Sequence, residues 1–201
     1  MGEQVREGPI LFNSEMVVAT LDDRKTATRR LVKGRALQRL EEGFTPEFVA
    51  LLENGLAPYQ VGDRLWVRET WCERLGDVSK GMYIYKAHKE PQDDIQQYAL
   101  DQNEWRPSIH MPRSAARLFL RVKRVWIERL QDITDADAKK EGVLCREEDH
   151  DCELAKVFPT ASIAAFSRLW DSAVKKSELN LYGWAANPWV WVIEFEREEQ
   201  S

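Results

Sequence analysis

The amino-acid sequence predicts an α+β fold, in which a small mixed β-barrel is flanked by helices. Short segments of alternating apolar and polar residues, typical of half-buried strands, are separated by helical segments and irregular loops. These segments lack the regular spacing of βαβ units, which argues against a doubly wound parallel sheet. A chain of 201 residues has the ordinary size of one domain, so we expect residues 1–201 to form a single domain.

The amino-terminal part begins with a strand and a helix. Residues 10–12 are expected to form a short strand. Ser14 follows at a position suited to the N-cap of a helix that continues to about Asp22. In residues 25–31, Thr26, Thr28 and Arg30 alternate with Ala27 and Arg29, which predicts a second strand rather than a helix.

Two insertions are predicted around the next strand, which we expect at 64–71. The first, at about 34–60, has apolar residues at helical spacing and a central break where Thr45 is a candidate cap, so it predicts a helical hairpin. The second, at about 76–104, mixes glycine, proline and charged residues and predicts irregular structure around a candidate strand at 82–86.

A stiff loop and a long strand are predicted after the insertions. Prolines bracket the loop at 106–113. The strand is expected at 116–130, and its apolar residues change parity near Lys123 and Arg124. Such a change predicts a β-bulge at that point.

The carboxy-terminal part predicts two helices and a closing strand. Thr134 has the position of an N-cap, and the helix that it opens should end at Gly142. Residues 161–174 have the apolar spacing of an amphipathic helix. Residues 189–196 alternate as a strand does.

The charge balance bears on the class of ligand. The formal net charge is −5, whereas proteins that coat long duplex DNA carry a basic surface that neutralises phosphates. We therefore expect no long duplex DNA as a partner, but a nucleoside, a nucleotide or a short RNA held in a locally basic cleft. The eight tryptophans suit either a core or a pocket that stacks on bases.

The sequence also indicates a compartment. Its apolar runs are far shorter than the roughly 20 residues of a membrane span, and its first residues form no secretory apolar region. Three cysteines are a small and odd number, which argues against a disulfide framework, so a reducing compartment is expected. We expect a cytoplasmic protein, in a bacterium or a phage-infected cell, without a membrane partner.

Four segments together resemble the ASCH domain of the PUA-like superfamily. They are Asp-Arg-Lys-Thr-Ala-Thr-Arg-Arg at 23–30, Gly-Asp-Arg-Leu-Trp-Val at 62–67, Leu-Gln-Asp-Ile-Thr at 130–134 leading to Glu141-Gly142, and Asn-Pro-Trp-Val-Trp-Val-Ile-Glu-Phe at 187–195. The last segment is similar to phage and prophage ASCH proteins in particular. The resemblance covers both ends and the middle of the chain and leaves the two insertions out.

The resemblance implies a PUA-like β-barrel with a cleft that binds RNA or a modified nucleoside. Small bacterial members of the family are amidohydrolases that remove the acetyl group of N(4)-acetylcytidine with a Lys, a Thr three residues later and a distant Glu. The matching residues are Lys25, Thr28 and Glu141, in a chain about twice as long as those enzymes. Other members are described as ribonucleases or RNA binders.

The three residue types suit amide hydrolysis. A threonine hydroxyl is a poor nucleophile until a base takes its proton, and a lysine serves as that base when burial or nearby cations lower its pKa. Lys25 has arginines beside it in sequence. Glu141 is expected in the last helical turn, where the carbonyl dipoles disfavour a carboxylate and suit a general acid. The competing interpretation is a solvated basic strand and a surface glutamate.

Aromatic, basic and polar residues of the middle segments are candidates for the wall of the cleft. Trp would stack on a base and Arg would bind a phosphate. The candidate substrate-binding residues are Arg29, Trp66, Arg68, Glu69, Trp71, Arg106, Ser108, His110 and Arg113. Core packing of the tryptophans, a structural role of His110 and a salt bridge of Glu69 are the alternatives.

No metal or cofactor is expected. Cys145, His150 and Cys152 lack the spacing of a zinc site, and the acidic residues around His150 favour a solvated loop. Phosphate-loop and dinucleotide fingerprints are absent from the sequence. The leading hypothesis is thus an N(4)-acylcytidine amidohydrolase. The alternatives are a non-catalytic RNA or modified-base reader, a ribonuclease, and a phage assembly or host-interaction protein.

Overall fold

The structure, a computed structural model, describes residues 5–51, 54–73, 83–87, 105–144 and 160–198. Within these ranges the chain is α+β, as the sequence predicts. The strands are β1 (Glu7–Leu11), β2 (Ala27–Leu31), β3 (Arg64–Arg68), β4 (Trp71–Glu73), β5 (Tyr83–Tyr85), β6 (Phe119–Arg129) and β7 (Trp189–Glu198). The helices are α1 (Ser14–Leu21), α2 (Gly34–Glu41), α3 (Pro46–Ala50), α4 (Asp135–Lys140), α5 (Ala161–Ala173) and α6 (Leu179–Tyr182).

Five of the strands form one mixed sheet in the order β1-β3-β6-β7-β2. Strand β1 is parallel to β3, while β3 pairs antiparallel with β6 and β2 pairs antiparallel with β7. Strands β4 and β5 form a separate two-stranded sheet. Among the described strands no pairing joins β1 to β2, so the closed barrel that the sequence predicts is not found: these strands form an open sheet.

The chain divides into two compact units, each made of discontinuous segments. The first unit contains Met1–Asp23, Gly62–Arg121 and Glu196–Ser201, and the second contains Arg24–Val61 and Val122–Phe195. One boundary falls within β6. The single domain expected from the sequence stays a prediction.

Each unit has its own buried apolar cluster. In the second unit, residues of α5 and β7 pack with the segment that leads into α4, and the cluster is formed by Leu130, Ile133, Ala138, Ile163, Phe166, Val190 and Val192. In the first unit, Trp71, Met111 and Ala115 pack with Tyr83 and Tyr85. Several of the eight tryptophans therefore contribute to packing, which is one of the two roles expected from their number.

The helix caps follow from local hydrogen bonds. Thr45, Thr134 and Thr160 each accept a backbone N–H of the first turn of α3, α4 and α5, so the predicted caps Thr45 and Thr134 are confirmed. Asn13, not Ser14, caps α1, because its Oδ1 accepts the Met16 N–H at 2.8 Å and Ser14 is already helical.

Several predicted element boundaries differ from those observed. The strand expected at 64–71 is interrupted after Arg68 and continues as β4, and the long strand begins at Phe119 rather than residue 116. The second helix of the predicted hairpin is short and ends at Ala50. In β6 the adjacent residues Lys123 and Arg124 are both exposed, so burial changes parity where the sequence places the bulge.

Some sequence predictions lie outside the described residues. They are most of the irregular insertion at 76–104, the first residue of the strand predicted at 82–86, and Cys145, His150 and Cys152. Within the predicted 82–86 segment, Tyr83–Tyr85 form β5.

Candidate active site

Backbone pairing brings the start of β2 against the end of α4. The Thr26 N–H donates to the carbonyl of Lys140 at 2.9 Å, and Lys25 and Glu141 form an isolated antiparallel bridge. The Arg24 side chain donates to the carbonyl of Gly142 at 2.8 Å. Residues 24, 25 and 26 therefore follow residues 142, 141 and 140 in antiparallel register. This register explains how residues so distant in sequence meet.

Local geometry at the end of α4 fixes Glu141. Glu141 is the C-cap residue of α4, one position beyond the last helical residue. Gly142 follows with φ of 83°, a left-handed conformation that side chains rarely adopt, so glycine suits this position. The predicted helix end is confirmed, and Glu141 lies one residue outside the turn where the sequence places it.

The Lys25 ammonium is buried against Glu141. Its Nζ donates to Oε2 of Glu141 at 2.8 Å, to the Glu141 carbonyl at 3.0 Å and to the Ala27 carbonyl at 2.8 Å. Three acceptors match the three donors of an ammonium group. Burial lowers the pKa of Lys25, and the nearby cations Arg30 and Arg29 lower it further, while the Glu141 carboxylate opposes them.

Arg29 joins Glu141 to a second carboxylate. Its Nη1 donates to Oε1 of Glu141 at 3.2 Å, and its Nε and Nη2 donate to Oε1 of Glu128 at 2.9 and 2.7 Å. The indole N–H of Trp126 donates to the other oxygen of Glu128 at 2.8 Å. Lys25, Glu141, Arg29 and the partly exposed Glu128 thus form a network with equal numbers of positive and negative charges, which we call the Lys25–Glu128 network.

Thr28 lies in the middle of β2 and is fully buried. Its hydroxyl oxygen accepts a hydrogen bond from Nη1 of Arg30 at 2.6 Å, and the same nitrogen donates to the Arg29 carbonyl at 2.9 Å. A guanidinium bound to a hydroxyl oxygen favours its deprotonated form. Lys25, Thr28 and Glu141 are all buried in the second unit, and Lys25 is in direct contact with Glu141.

Burial of the charged groups of this network costs free energy. Removing an ammonium and a carboxylate from water costs several kcal/mol per ion, and even a well-formed buried pair roughly regains that cost. An apolar core of the same volume would be equally stable or more so. Buried charged groups with shifted pKa values are therefore common at functional sites, although structural ion networks also contain them.

The other candidate substrate-binding residues belong to the first unit, and several have structural partners. Glu69 is fully buried and accepts two hydrogen bonds of 2.8 Å from Arg117, so of the two roles left open for it, the salt bridge is the one observed. Burial raises the pKa of Glu69, and Arg117 opposes this rise. Arg106 pairs with Glu73 at 3.2 Å.

The remaining candidates in the first unit differ in exposure. Trp66 and Trp71 are 8 % and 2 % exposed, so their rings are part of the core. The guanidinium of Arg68 stacks on the Trp66 ring at 4.6 Å. Arg113 pairs with Glu7 and stacks on the Phe119 ring. Ser108 and His110 lie in a 3₁₀ turn between the prolines, where His110 is exposed.

Sequence reasoning missed Glu128, Trp126 and Arg117 as partners of the charged candidates. The signal for Glu128 was weak, because it is one polar residue in an alternating strand. Its contact with Arg29 depends on the sheet order, in which β7 lies between β6 and β2. The sequence singles out Glu69 as a candidate, but nothing in it identifies Arg117 as the partner.

The part of the chain that the structure describes holds neither a cluster of metal ligands nor a membrane-spanning helix. Within it, no three His, Cys, Asp or Glu side chains are grouped as metal ligands would be. No helix there has the length and apolar character needed to cross a membrane.

Comparisons with protein-family models, with curated proteins and with solved structures find no match to this chain. The ASCH resemblance therefore rests on the sequence segments themselves.

Proposed function

We propose that the chain is a PUA-like ASCH protein that hydrolyses the amide of an N(4)-acylated cytidine, with Lys25, Thr28 and Glu141 as its catalytic residues. The substrate is a nucleoside, a nucleotide or a base in a short RNA, and the protein acts in the cytoplasm. The reaction needs no metal or cofactor, because the chain supplies the nucleophile, the base and the acid.

The contact between Lys25 and Glu141 is the observation that carries this proposal. The two side chains are 0 % and 3 % exposed, and their charged atoms are 2.8 Å apart although 116 residues separate them in sequence. The resemblance assigns roles to both of these residues and to Thr28. A buried Lys–Glu pair is also a source of one base and one acid, because one proton moved between them makes both groups neutral.

In the proposed reaction, this proton moves first from Lys25 to Glu141 and then from Glu141 to the leaving nitrogen. Transfer of a proton from the Lys25 ammonium to Glu141 leaves an amine and a carboxylic acid. The amine then takes the proton of the Thr28 hydroxyl, whose oxygen attacks the acyl carbon, while Glu141 protonates the cytosine N4 as its bond to the acyl carbon breaks. Water hydrolyses the resulting threonine ester, which releases the carboxylic acid and restores the hydroxyl.

Two arginines support these steps. Arg30 donates to the Thr28 oxygen at 2.6 Å and stabilises the negative charge that develops there. Arg29 donates to Oε1 of Glu141 at 3.2 Å and holds the carboxyl group while its other oxygen exchanges the proton with Lys25. An acyl substrate reaches Thr28 by displacing Arg30 from its hydroxyl.

A non-catalytic reader of RNA or of modified bases is the second candidate function. The observation that favours it is the complete burial of Thr28, combined with three acceptors around the Lys25 ammonium. On that hypothesis the Lys25–Glu128 network is structural and the ligand contacts other residues.

Turnover of N(4)-acetylcytidine, followed by chromatography of the cytidine produced, distinguishes the two functions. The hydrolase hypothesis predicts cytidine and acetate in equal amounts from the wild-type protein. The reader hypothesis predicts binding of the nucleoside that is equal in wild type and Thr28→Val, and no cytidine from either. If the protein turns over neither N(4)-acetylcytidine nor an acetylated oligoribonucleotide, the proposed hydrolase function is contradicted.

A further inference from the structure

The turn between α2 and α3 exposes two aromatic side chains. Phe44 and Phe48 are 39 % and 43 % exposed, and their rings stack with centroids 5.0 Å apart. No other Phe, Tyr or Trp side chain is exposed in the part of the chain that the structure describes. Leu51, which is half exposed, lies within one turn of Phe48, because its N–H donates to the Phe48 carbonyl at 3.2 Å. We call these three side chains the Phe48 patch.

Core packing does not account for the Phe48 patch. The apolar residue that α3 buries completely is Val49, whereas Phe48 and Leu51, on either side of it in sequence, are left exposed. Single exposed apolar side chains are common on protein surfaces, but a group of them is typical of an interaction site. The patch is therefore a candidate interaction surface of the second unit.

The segment that carries the Phe48 patch is acidic. Residues 40–61 contain four glutamates and no Lys, Arg or His, so their formal charge is −4, compared with −5 for the whole chain. Glu41 and Glu47 are both exposed, and Glu47 directly precedes Phe48. These charges repel the phosphates of a nucleic acid, and a second copy of the chain would bring the same glutamates together across a two-fold axis. The charge therefore favours a cationic partner.

The chain itself shows how a cation binds at this patch. The guanidinium of Arg39 lies over the Phe44 ring, with its Cζ 5.2 Å from the ring centroid, and its Nη1 donates to Oε2 of Glu42 at 2.9 Å. An aromatic ring and a carboxylate thus bind one guanidinium together. Phe48 and the exposed Glu47 add a further ring and a further carboxylate, so an arginine of another molecule finds the same two kinds of group.

We propose that the Phe48 patch binds a segment of another protein that carries arginines together with apolar side chains. The apolar side chains of that segment cover Phe48 and Leu51, and its arginines pair with the glutamates around them, which steer the association and fix its register. The patch belongs to the helical insertion at about 34–60, which the ASCH resemblance leaves out. The proposal does not depend on the hydrolase activity.

Fluorescence anisotropy of labelled synthetic peptides, titrated with the full chain, tests this proposal. The first peptide has about 16 residues, enough for four helical turns, with leucines on one face and arginines on the other. Serines replace the leucines in the second peptide, and glutamates replace the arginines in the third. We expect the leucine–arginine peptide to bind at least about tenfold more tightly than either of the others, because it alone has both the apolar and the cationic groups.

Matched substitutions assign the binding to the patch. Phe48→Ser and Leu51→Ser should each weaken binding of the leucine–arginine peptide by about tenfold or more, whereas Leu181→Ser, at a leucine of α6 that is 59 % exposed, should leave it unchanged. Glu47→Lys should also weaken binding. Glu15→Lys should not, although both glutamates are exposed in the first turn of a helix. Circular dichroism checks that each variant is folded, and Leu51→Ser and Glu47→Lys keep the test valid if Phe48→Ser does not fold.

Several outcomes would overturn the proposal. The first is no binding of the leucine–arginine peptide, or binding no tighter than that of the other two peptides. The second is wild-type affinity in a folded Leu51→Ser or Glu47→Lys protein, or an equal loss of affinity in a variant and its control. Sedimentation velocity supplies the third: a wild-type dimer that dissociates in Phe48→Ser would assign the patch to a second copy of the chain instead.

Discussion

The Lys25–Glu141 pair is stable because each charge is met by donors or acceptors that suit it. The ammonium has three oxygen acceptors, and each oxygen of Glu141 is bonded to a different cation. Two of the Lys25 acceptors are backbone carbonyls, which carry no net charge and cannot be removed by substitution. Glu141, in contrast, is the anion on which both Lys25 and Arg29 depend.

Replacement of Glu141 should therefore destabilise the protein more than replacement of Lys25. Glu141→Gln leaves the buried Lys25 ammonium without a countercharge and should lower the free energy of unfolding by about 3 kcal/mol or more. Lys25→Met removes a buried charge together with its desolvation cost, and Arg29 still neutralises Glu141. Urea unfolding of both variants measures the difference, and a larger loss in Lys25→Met would contradict this account of the network.

Tyr85 should make stability depend on alkaline pH. Burial raises its pKa from 10.0 to about 12, and its hydroxyl donates to the Ala115 carbonyl at 2.8 Å. Because the folded state holds the proton more tightly, the contribution of Tyr85 is complete below pH 10 and is lost as the pH rises towards 12. Tyr85→Phe should lose about 1 kcal/mol at neutral pH from the missing hydrogen bond and should show a smaller decline in alkali.

The comparison with wild type is made by urea unfolding at neutral pH and at several alkaline values. An equally steep alkaline decline in Tyr85→Phe and in wild type would show that other groups are responsible.

At the residue scale, the sequence identifies candidate site residues only where they lie in a short segment with a recognisable pattern. Lys25, Thr28 and Glu141 were identified through short segments with a known resemblance. Their contact could not be derived, because it depends on the backbone pairing of residues 24–26 with residues 140–142. Glu128 has no such segment and becomes visible only when the sheet order is known.

At the element scale, α4 positions the carboxyl group and β2 positions the lysine. Thr134 holds the start of α4: its hydroxyl oxygen accepts the Asp137 N–H at 3.1 Å and its hydroxyl donates to the Asp137 carboxylate at 2.6 Å. The helix has only six residues, so its end at Glu141 is within two turns of its cap. Fraying of α4 at Thr134 should therefore also displace Glu141 at its other end.

Thr134→Ala should reduce both stability and turnover. Loss of an N-cap costs about 1 kcal/mol, and a frayed α4 holds Glu141 less firmly against Lys25. Thr45→Ala is the matched control, because Thr45 caps α3 in the same way and should cost a similar free energy. Unfolding and N(4)-acetylcytidine turnover are measured for both variants. Equal loss of turnover at equal loss of stability would contradict a positioning role of α4.

Elements with local signals were the ones that the sequence predicted well. Caps at Thr45 and Thr134 and the glycine after Glu141 act within one helical turn, so they can be recognised in the sequence. Strand ends were less accurate: β3 stops at Arg68 although the alternation continues beyond it. Pairing partners decide where a strand ends, and no local pattern contains them.

At the scale of the whole molecule, acidic groups bound to cations should make stability fall at low pH. The hydrogen bond from Arg113 lowers the pKa of Glu7, and those from Lys139, Thr160 and Ser162 lower the pKa of Asp135 to about 2. Burial raises the pKa of Glu198, but its bonds to Arg64 and Arg121 outweigh this and lower it.

Since these groups release protons more readily in the folded state, their contributions are present above the unfolded pKa values near 4 and are lost as the pH falls through the lowered folded values. Glu69, with its pKa raised by burial, acts in the opposite direction. We expect a net loss of stability between pH 5 and pH 3, roughly the range in which unfolded carboxyl groups titrate. Thermal unfolding across that range measures it, and a constant or rising midpoint would contradict the assignment.

The fold class was predicted at the level of α+β and not at the level of the sheet. Alternating segments and capped helices give the former, because each is a local property. The closed barrel was an inference about which strands pair at the two edges. The described strands leave β1 and β2 at opposite edges of an open sheet, a property of long-range pairing that composition and periodicity do not encode.

Turnover of N(4)-acetylcytidine by Thr28→Val, relative to the wild-type protein, tests the proposed catalytic centre most directly. Valine keeps the shape of the buried side chain and removes only the attacking hydroxyl. We expect the rate to fall by about 100-fold or more, with part of the activity retained in Thr28→Ser. Thr20→Val, which alters another buried threonine, should remain active. Wild-type rates in a folded Thr28→Val protein would contradict the catalytic role of this hydroxyl.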